Sequence, residues 1–564
     1  MGNNNRINKL LLIFISLILL FNIISLYNNP ATSYEPDIYK SLPDSFIPLT
    51  IIAMILLFII FIYLPINKPT IILLILNYSI VLLIPLIKSY FLWNTNGDAG
   101  THLGSIFFII NEGYFDSSDI YPYSKIFIAV FNIILKMDVS LAIKLIPFII
   151  AVSSLPFYYF ISRYICPDKN YQKIVILLSC CFIGDMFITF SPNHLAYLFF
   201  PVSIFIMLFY YKNIKFEHFI ILLIIIIILP ISHIILSITF IILLISFFTI
   251  KNKENYRMNR MVILTTVITI TWISTFYIWL QMLKKIVTLF DDSTKTSAGA
   301  IINQIDYANQ FNIDLISYIF YAYGISIILI LSFIIILFLS KRIKNVIINR
   351  LNIFYILISI LIIIQLFMFT GFSPLRFLVF LNIIGIFYLG LLLYRLNIKS
   401  KIRYTKAFSL LIVIIIFITG LLTVYPSSTI LLSNYQTTSA ELDGAKWYYN
   451  YYDSSYNITG ISLAPGRYSA FILDDGDPQK ENIPLYFDIY NTCPYHFNYN
   501  DSNSIYPSYI LLTVKDRALY TEIYPSMADV RWNDNDFEKL SFFNNINRVY
   551  SNSDMECWII MDDE

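Results

Sequence analysis

Residues 219–233 read Phe219-Ile220-Ile221-Leu222-Leu223-Ile224-Ile225-Ile226-Ile227-Ile228-Leu229-Pro230-Ile231-Ser232-His233. No polar group interrupts the run before Pro230. A segment with no polar face belongs in hydrocarbon, where a helix satisfies its own backbone groups without water. Runs of the same character lie at approximately 8–27, 46–65, 70–91, 138–162, 173–190, 194–211, 217–230, 231–250, 260–280, 314–340, 351–370, 374–394 and 406–425, giving about 13 candidate spans. The seventh and eighth meet at Pro230–His233 with almost no loop. The first follows Arg6 and Lys9 with no A-x-A site after it, so it reads as an uncleaved anchor.

The whole chain agrees with this reading. Of 564 residues only 13% are charged, against about 25% in soluble globular proteins, and the mean hydropathy is +0.70. A disordered or nucleic-acid-binding chain is excluded. Charge is also partitioned. Residues 1–425 carry 30 basic and 16 acidic groups, and residues 426–564 carry 8 and 20. The expected architecture is an α-helical polytopic membrane protein over 1–425 with a small C-terminal α/β domain over 426–564.

Lysine and arginine remain on the cytoplasmic side of a bilayer. With the N-terminus inside, the cytoplasmic segments hold 21 of them and the longer outer loops hold eight. An odd number of spans then makes the acidic C-terminal domain extracytoplasmic, on a multi-pass protein of the cell membrane.

Ionisable groups are almost absent from the middle of the spans, which argues against an ion-coupled transporter. Lys144, Asp185, His194, His233, Asp314 and Arg376 fall near outer span ends. The first large outer loop, 92–137, opens with Trp93-Asn94-Thr95-Asn96-Gly97-Asp98-Ala99-Gly100-Thr101-His102-Leu103-Gly104. Leu103, Ile106, Phe107 and Ile110, and later Ile126, Phe127, Val130, Phe131 and Ile134, recur at helical spacing, as two amphipathic interfacial helices would. A helix starting near Gly97 puts Asp98 and His102 on one face. Asp98, at headgroup depth, can take a proton from an acceptor hydroxyl, help hold a metal ion, or simply cap its helix; His102 taken alone reads as a packing or hydrogen-bonding residue before a catalytic one.

A shorter outer connection supplies Asp185 and His194. Asp185 could join Asp98 around a divalent cation such as Mg or Mn, or each residue could merely end or begin a helix. Arg376, in Gly371-Phe372-Ser373-Pro374-Leu375-Arg376-Phe377, suits a phosphate arriving from the headgroup layer, or snorkels to phospholipid. His233 reads as an interfacial histidine. The outer loop 281–312 is long enough to act as a lid or a connector.

In the tail, Ser439–Tyr452 reads as a capped helix, and 458–464, 509–514 and 556–561 as strands. Cys493 and Cys557 are the outer cysteines, and a disulfide between them is left open. Asn457-Ile458-Thr459 and Asn500-Asp501-Ser502 are glycosylation sequons. Asp474-Asp475-Gly476-Asp477 reads as a turn or a calcium site.

This layout resembles the GT-C superfamily of membrane glycosyltransferases over roughly residues 70–425. The likeness rests on Asp98 early in the first large outer loop, the amphipathic helices of that loop, Asp185 in a later outer loop, and Arg376. The Gly-Asp-x-x-x-His-Leu-Gly stretch and Asp443-Gly444-Ala445-Lys446-Trp447 are similar to stretches in large archaeal membrane proteins of that superfamily. No DxD pair surrounds Asp185 and no WWDxG motif occurs, which sets an oligosaccharyltransferase aside. The resemblance implies a polyprenyl-phosphate sugar donor, a glycan, lipid or protein acceptor, and Asp98 and His102 as catalytic residues. It makes Asp185, His194, His233 and Arg376 substrate-binding. The alternatives are a transporter or flippase of lipid-linked glycans and a non-catalytic cell-envelope protein.

Overall fold

The computed structural model describes residues 2–64, 66–94, 98–117, 119–213, 215–248, 255–276, 315–340, 345–368, 375–399, 404–453, 456–462, 465–472, 493–498 and 508–561. The loop 281–312, Gly371–Pro374, the Asp474–Asp477 stretch and the Asn500 sequon lie outside the described residues.

The chain opens with α1 (Gly2–Tyr27), α2 (Phe46–Tyr63), α3 (Lys68–Leu82), the single turn α4 (Ile84–Ile87), α5 (Asp98–Glu112) and α6 (Pro122–Leu135). It continues through α7 (Val139–Ile165), α8 (Lys169–Cys181), α9 (Pro192–Lys212), α10 (Phe216–Ser232), α11 (Ile234–Phe248) and α12 (Asn255–Ser274). The later helices are α13 (Leu315–Ser340), α14 (Val346–Met368), α15 (Leu375–Lys399) and α16 (Thr405–Thr423). Among the described residues, eight helices are long and apolar enough to cross a membrane: α1, α2, α7, α9, α13, α14, α15 and α16. Helices α3, α6, α10, α11 and α12 are apolar but shorter.

Burial confirms the solvent these helices expect. On α1, Leu10, Ile13, Leu17, Leu20 and Ile24 point outward, whereas Asn22 is fully buried and donates to Thr50 Oγ1 of α2 at 3.0 Å. Apolar residues outside and an amide donor paired inside is the arrangement hydrocarbon favours.

Two expected spans are not single helices. The run 70–91 stops at Leu82 and restarts as α4, where Pro85 occupies the first turn, because proline lacks the donor a continuing helix needs. The run 173–190 is helical only to Cys181; Phe182 and Gly184 are extended and Asp185–Phe187 forms a 3-10 turn. Ser191 then caps α9 by accepting from His194 N, with Pro192 in the first turn.

Contacts sort the helix ends into two groups. At one end Asn345 Nδ2 donates to Ile165 O at 2.6 Å, the Tyr394 hydroxyl donates to Asp168 at 2.8 Å, and Lys406 lies 4.9 Å from the Tyr63 ring. At the other, segment 28–45 meets the chain after α16: Tyr34 OH donates to Asn434 O at 3.0 Å and Glu35 N to Gln436 Oε1 at 2.8 Å. Here β1 (Leu92–Trp93) pairs antiparallel with β2 (Gln436–Thr437).

Beyond β2 lie the helices α17 (Ser439–Tyr451), α18 (Pro465–Ile472), α19 (Val514–Ala518) and α20 (Asp534–Lys539). With them is a sheet of order β3-β4-β6-β5, built from β3 (Asn457–Gly460), β4 (Ser508–Thr513), β5 (Ile546–Ser551) and β6 (Met555–Ile560). Strands β3 and β4 are parallel and the other pairs antiparallel. Alternation divides the core. Tyr509, Leu511, Cys557 and Ile559 pack with Leu442, Tyr448 and Tyr468, while Ile510, Leu512, Trp558 and Ile560 pack with Cys493, Trp532 and Phe537. Cys493 and Cys557 therefore sit on opposite faces of the sheet, and both are free thiols. That settles the open disulfide question against the bond.

In the Asp443–Trp447 stretch, Gly444 and Trp447 are packing residues, while Asp443 and Lys446 are exposed. A Cβ on Gly444 would stand 2.8 Å from Met555 Sδ and 2.9 Å from Met555 Cβ, so glycine lets α17 close on β6. Trp447 stacks on Tyr550, centroids 4.4 Å apart.

Candidate functional site

Of the expected site residues, His102, Asp185, His194, His233 and Arg376 lie at the end of the bundle that carries the C-terminal domain. Thr189, between the broken α8 run and α9, is the hub. Its hydroxyl donates to Asp185 Oδ1 at 2.6 Å and accepts from Trp93 Nε1 at 3.2 Å. Its carbonyl accepts from His194 Nδ1 at 3.0 Å. The next residue, Phe190, receives the His102 ring edge-on at 6.0 Å. The break after Cys181 thus turns an apolar run into the bracket that joins Asp185, His194 and His102.

A second group adjoins it. Tyr121 stacks on His233, centroids 4.3 Å apart, and the Arg376 guanidinium lies within electrostatic reach of Tyr121, Tyr197 and His233. Tyr197 and His194 have ring centroids 6.1 Å apart, which links the groups. His233 Nδ1 accepts from Ile235 N at 3.1 Å, so this ring nitrogen carries no proton. The segment leading into α6 is pinned on both sides. Asp119 pairs with Lys125 at 2.7 Å, both nearly buried, and Trp272 Nε1 donates to Ile120 O at 3.2 Å.

Asp98 is the first residue of α5, as the sequence leads one to expect. Its side chain, with Thr95–Gly97, is outside the described residues. Ala99 and Leu103 are buried, and α18 packs against α5, bringing the C-terminal domain over this helix.

Among the described residues no group of three or more His, Cys, Asp or Glu is placed to hold a metal ion. Asp185 is engaged by Thr189 and His194 by a carbonyl. The described side chains do not by themselves compose a cation cage.

A buried polar lattice that sequence reasoning missed holds this end rigid. Lys88 is fully buried and pairs with Glu35 at 2.8 Å, its ammonium also donating to Ser41 O at 2.8 Å. Tyr90 OH donates to Glu35, and Asn434 Nδ2 donates to Tyr90 OH at 3.2 Å. Lys144 donates to Tyr90 O at 2.9 Å and Phe91 O at 3.0 Å, so it is a backbone clamp. The one available signal was a lysine inside an apolar stretch, a placement that requires a partner.

The sequence matches no known family model, and no curated protein is similar to it at a meaningful level.

Proposed function

We propose that the chain is a membrane glycosyltransferase of GT-C type, moving a sugar from a polyprenyl-phosphate donor to an acceptor on the outer face of the membrane. The observation that carries this reading is the convergence of His102, Asp185, His194, His233 and Arg376 at the bundle end where α5 begins with Asp98.

In the proposed reaction the acceptor hydroxyl gives its proton to Asp98 as its oxygen bonds the anomeric carbon. The bond from that carbon to the phosphate oxygen breaks, and polyprenyl phosphate leaves against the Arg376 guanidinium. An apolar cleft of about 240 Å³ between α10 and α12 is lined by Ile227, Pro230, Ile231, Val267, Ile268, Thr271, Trp272 and Thr275. Trp272 ties it to the segment of Tyr121 and His233, so a lipid chain there would deliver its phosphate toward Arg376.

The same proposal takes the five shorter runs of the membrane part, α3, α8, α10, α11 and α12, as spans too, giving 13 crossings and an extracytoplasmic C-terminal domain. The alternation of helix ends between the two contact groups supports it. The basic residues Lys169, Arg395 and Lys406 belong to the end opposite the site.

The test is transfer of labelled sugar from a polyprenyl-phosphate donor by the full-length protein in lipid. Asp98→Asn should lower the rate by about 10²-fold or more. Unchanged transfer by a correctly inserted variant would overturn the mechanism, and glycan-lipid flux without donor consumption would make the protein a transporter.

A further inference from the structure

The buried carboxyl of Glu441 is the most unusual group outside the site. It sits in the first turn of α17, where Thr438 Oγ1 caps Glu441 N at 3.1 Å, and it is 3% exposed. Tyr468 of α18, itself fully buried, donates its hydroxyl to Glu441 Oε1. A second bond joins Tyr449 of α17 to the Ser469 backbone. These two bonds join α18 to α17, Tyr468 also bonds Thr437 of β2, and α18 packs on its other side against α5, the helix that Asp98 opens.

The groups facing Glu441 come from every element around it. Tyr468 faces it from α18, Lys515 and Asp516 from α19, and Tyr34 from segment 28–45. Asp516 is committed to Thr513 and Ser462. Strand β6 turns Cys557 toward α17, a thiol that burial pushes up to about 12, while Glu556, held by Arg517 at 2.9 Å and Arg548 at 3.6 Å, lies on the strand's other face with Trp558.

We propose that Glu441 is a positioning residue that sets how α18 sits on the Asp98 helix, and that ionisation of its carboxyl loosens that contact. The role deepens the transferase reading and rests on it for its meaning. Its physical basis does not. Burial raises the Glu441 carboxyl from 4.5 to about 7, with the Tyr468 hydrogen bond and Lys515 opposing and Asp516 adding to the rise. A group raised in the folded state stabilises fully below its unfolded value, and that stabilisation disappears as pH climbs through the folded value. Between about pH 4.5 and 7 the cover over α5 is thus progressively weakened.

Hydrogen exchange of the full-length protein in lipid nanodiscs, followed over 465–472 and 98–112 and corrected for intrinsic rates, tests this. Protection of both segments should fall by about tenfold or more between about pH 5.5 and 8.5, and Glu441→Gln should keep it high throughout. Tyr468→Phe removes a bond to the ionised form, so the midpoint should move down in protection and upward in pH. Flat protection in the unaltered protein, or the same pH dependence in Glu441→Gln, overturns the proposal. So does an unshifted midpoint in Tyr468→Phe, a variant that remains informative should Glu441→Gln fail to fold. Exchange is read without any donor, so failed transfer by the active-site variants leaves this result standing, and the reverse.

Discussion

Tyr121 lies nearly parallel to His233, with ring centroids 4.3 Å apart and planes 23° from one another. One ring enters α6 and the other fills the break between α10 and α11, so the stack fastens the segment leading into α6 to the bundle beside Arg376. Replacing Tyr121 with leucine should lower stability by about 0.5–1.5 kcal/mol beyond the lost area. Transfer should fall more steeply than stability. A thermal melt in detergent beside a transfer assay checks this, and equal losses would reduce the stack to packing.

Lys88 has no exposure and one carboxylate partner, Glu35. Lys88→Met should cost about 3–5 kcal/mol, since it strands a buried charge. The double variant Lys88→Met, Glu35→Gln should recover part of that loss. A double variant no more stable than Lys88→Met alone would show that the pair is not the cause.

Gly444 has no room for a side chain against Met555. Gly444→Ala should destabilise the C-terminal domain by about 1–3 kcal/mol. Shortening the neighbour in Gly444→Ala, Met555→Ala should relieve the clash, though not the loss of Met555 packing. Additive losses in a double-mutant cycle would count against direct contact.

Acid should loosen the C-terminal domain near α20. Burial alone would raise the Asp536 carboxyl, but bonds from Asn533 N, His496 and Lys539 outweigh it and hold it below its ordinary value. A depressed carboxyl stabilises above its unfolded value, and that contribution is lost as pH falls through the folded one. Asp536→Asn should therefore flatten the acid limb of the stability profile. An unchanged limb would place the sensitivity elsewhere.

The membrane class was legible because long apolar runs such as 219–229 admit one solvent. The helix starting at Asp98 was legible from its glycine and its spacing. What could not be read was where apolar runs break. Phe182–Gly184 contains nothing forbidden to a helix except one glycine, and its extended course is set by the Asp185–Thr189–Trp93 bonds across the chain. In the tail, β5 was missed because Arg548, Val549 and Ser551 are exposed, so an edge strand shows no apolar alternation. The disulfide was undecidable for a like reason, since the faces of β6 and of residue 493 depend on register.

The ribbon of Leu92–Trp93 with Gln436–Thr437 joins segments more than 340 residues apart. A chain made from its N-terminus threads every intervening helix before this clasp can shut, so Trp93 must wait until Gln436 and Thr437 have been made. Biogenesis of the site is thus a late event. A ribosome stalled before Gln436, or a chain cut there, should leave an inserted bundle with an unfastened rim, one that quality-control proteases would reach first.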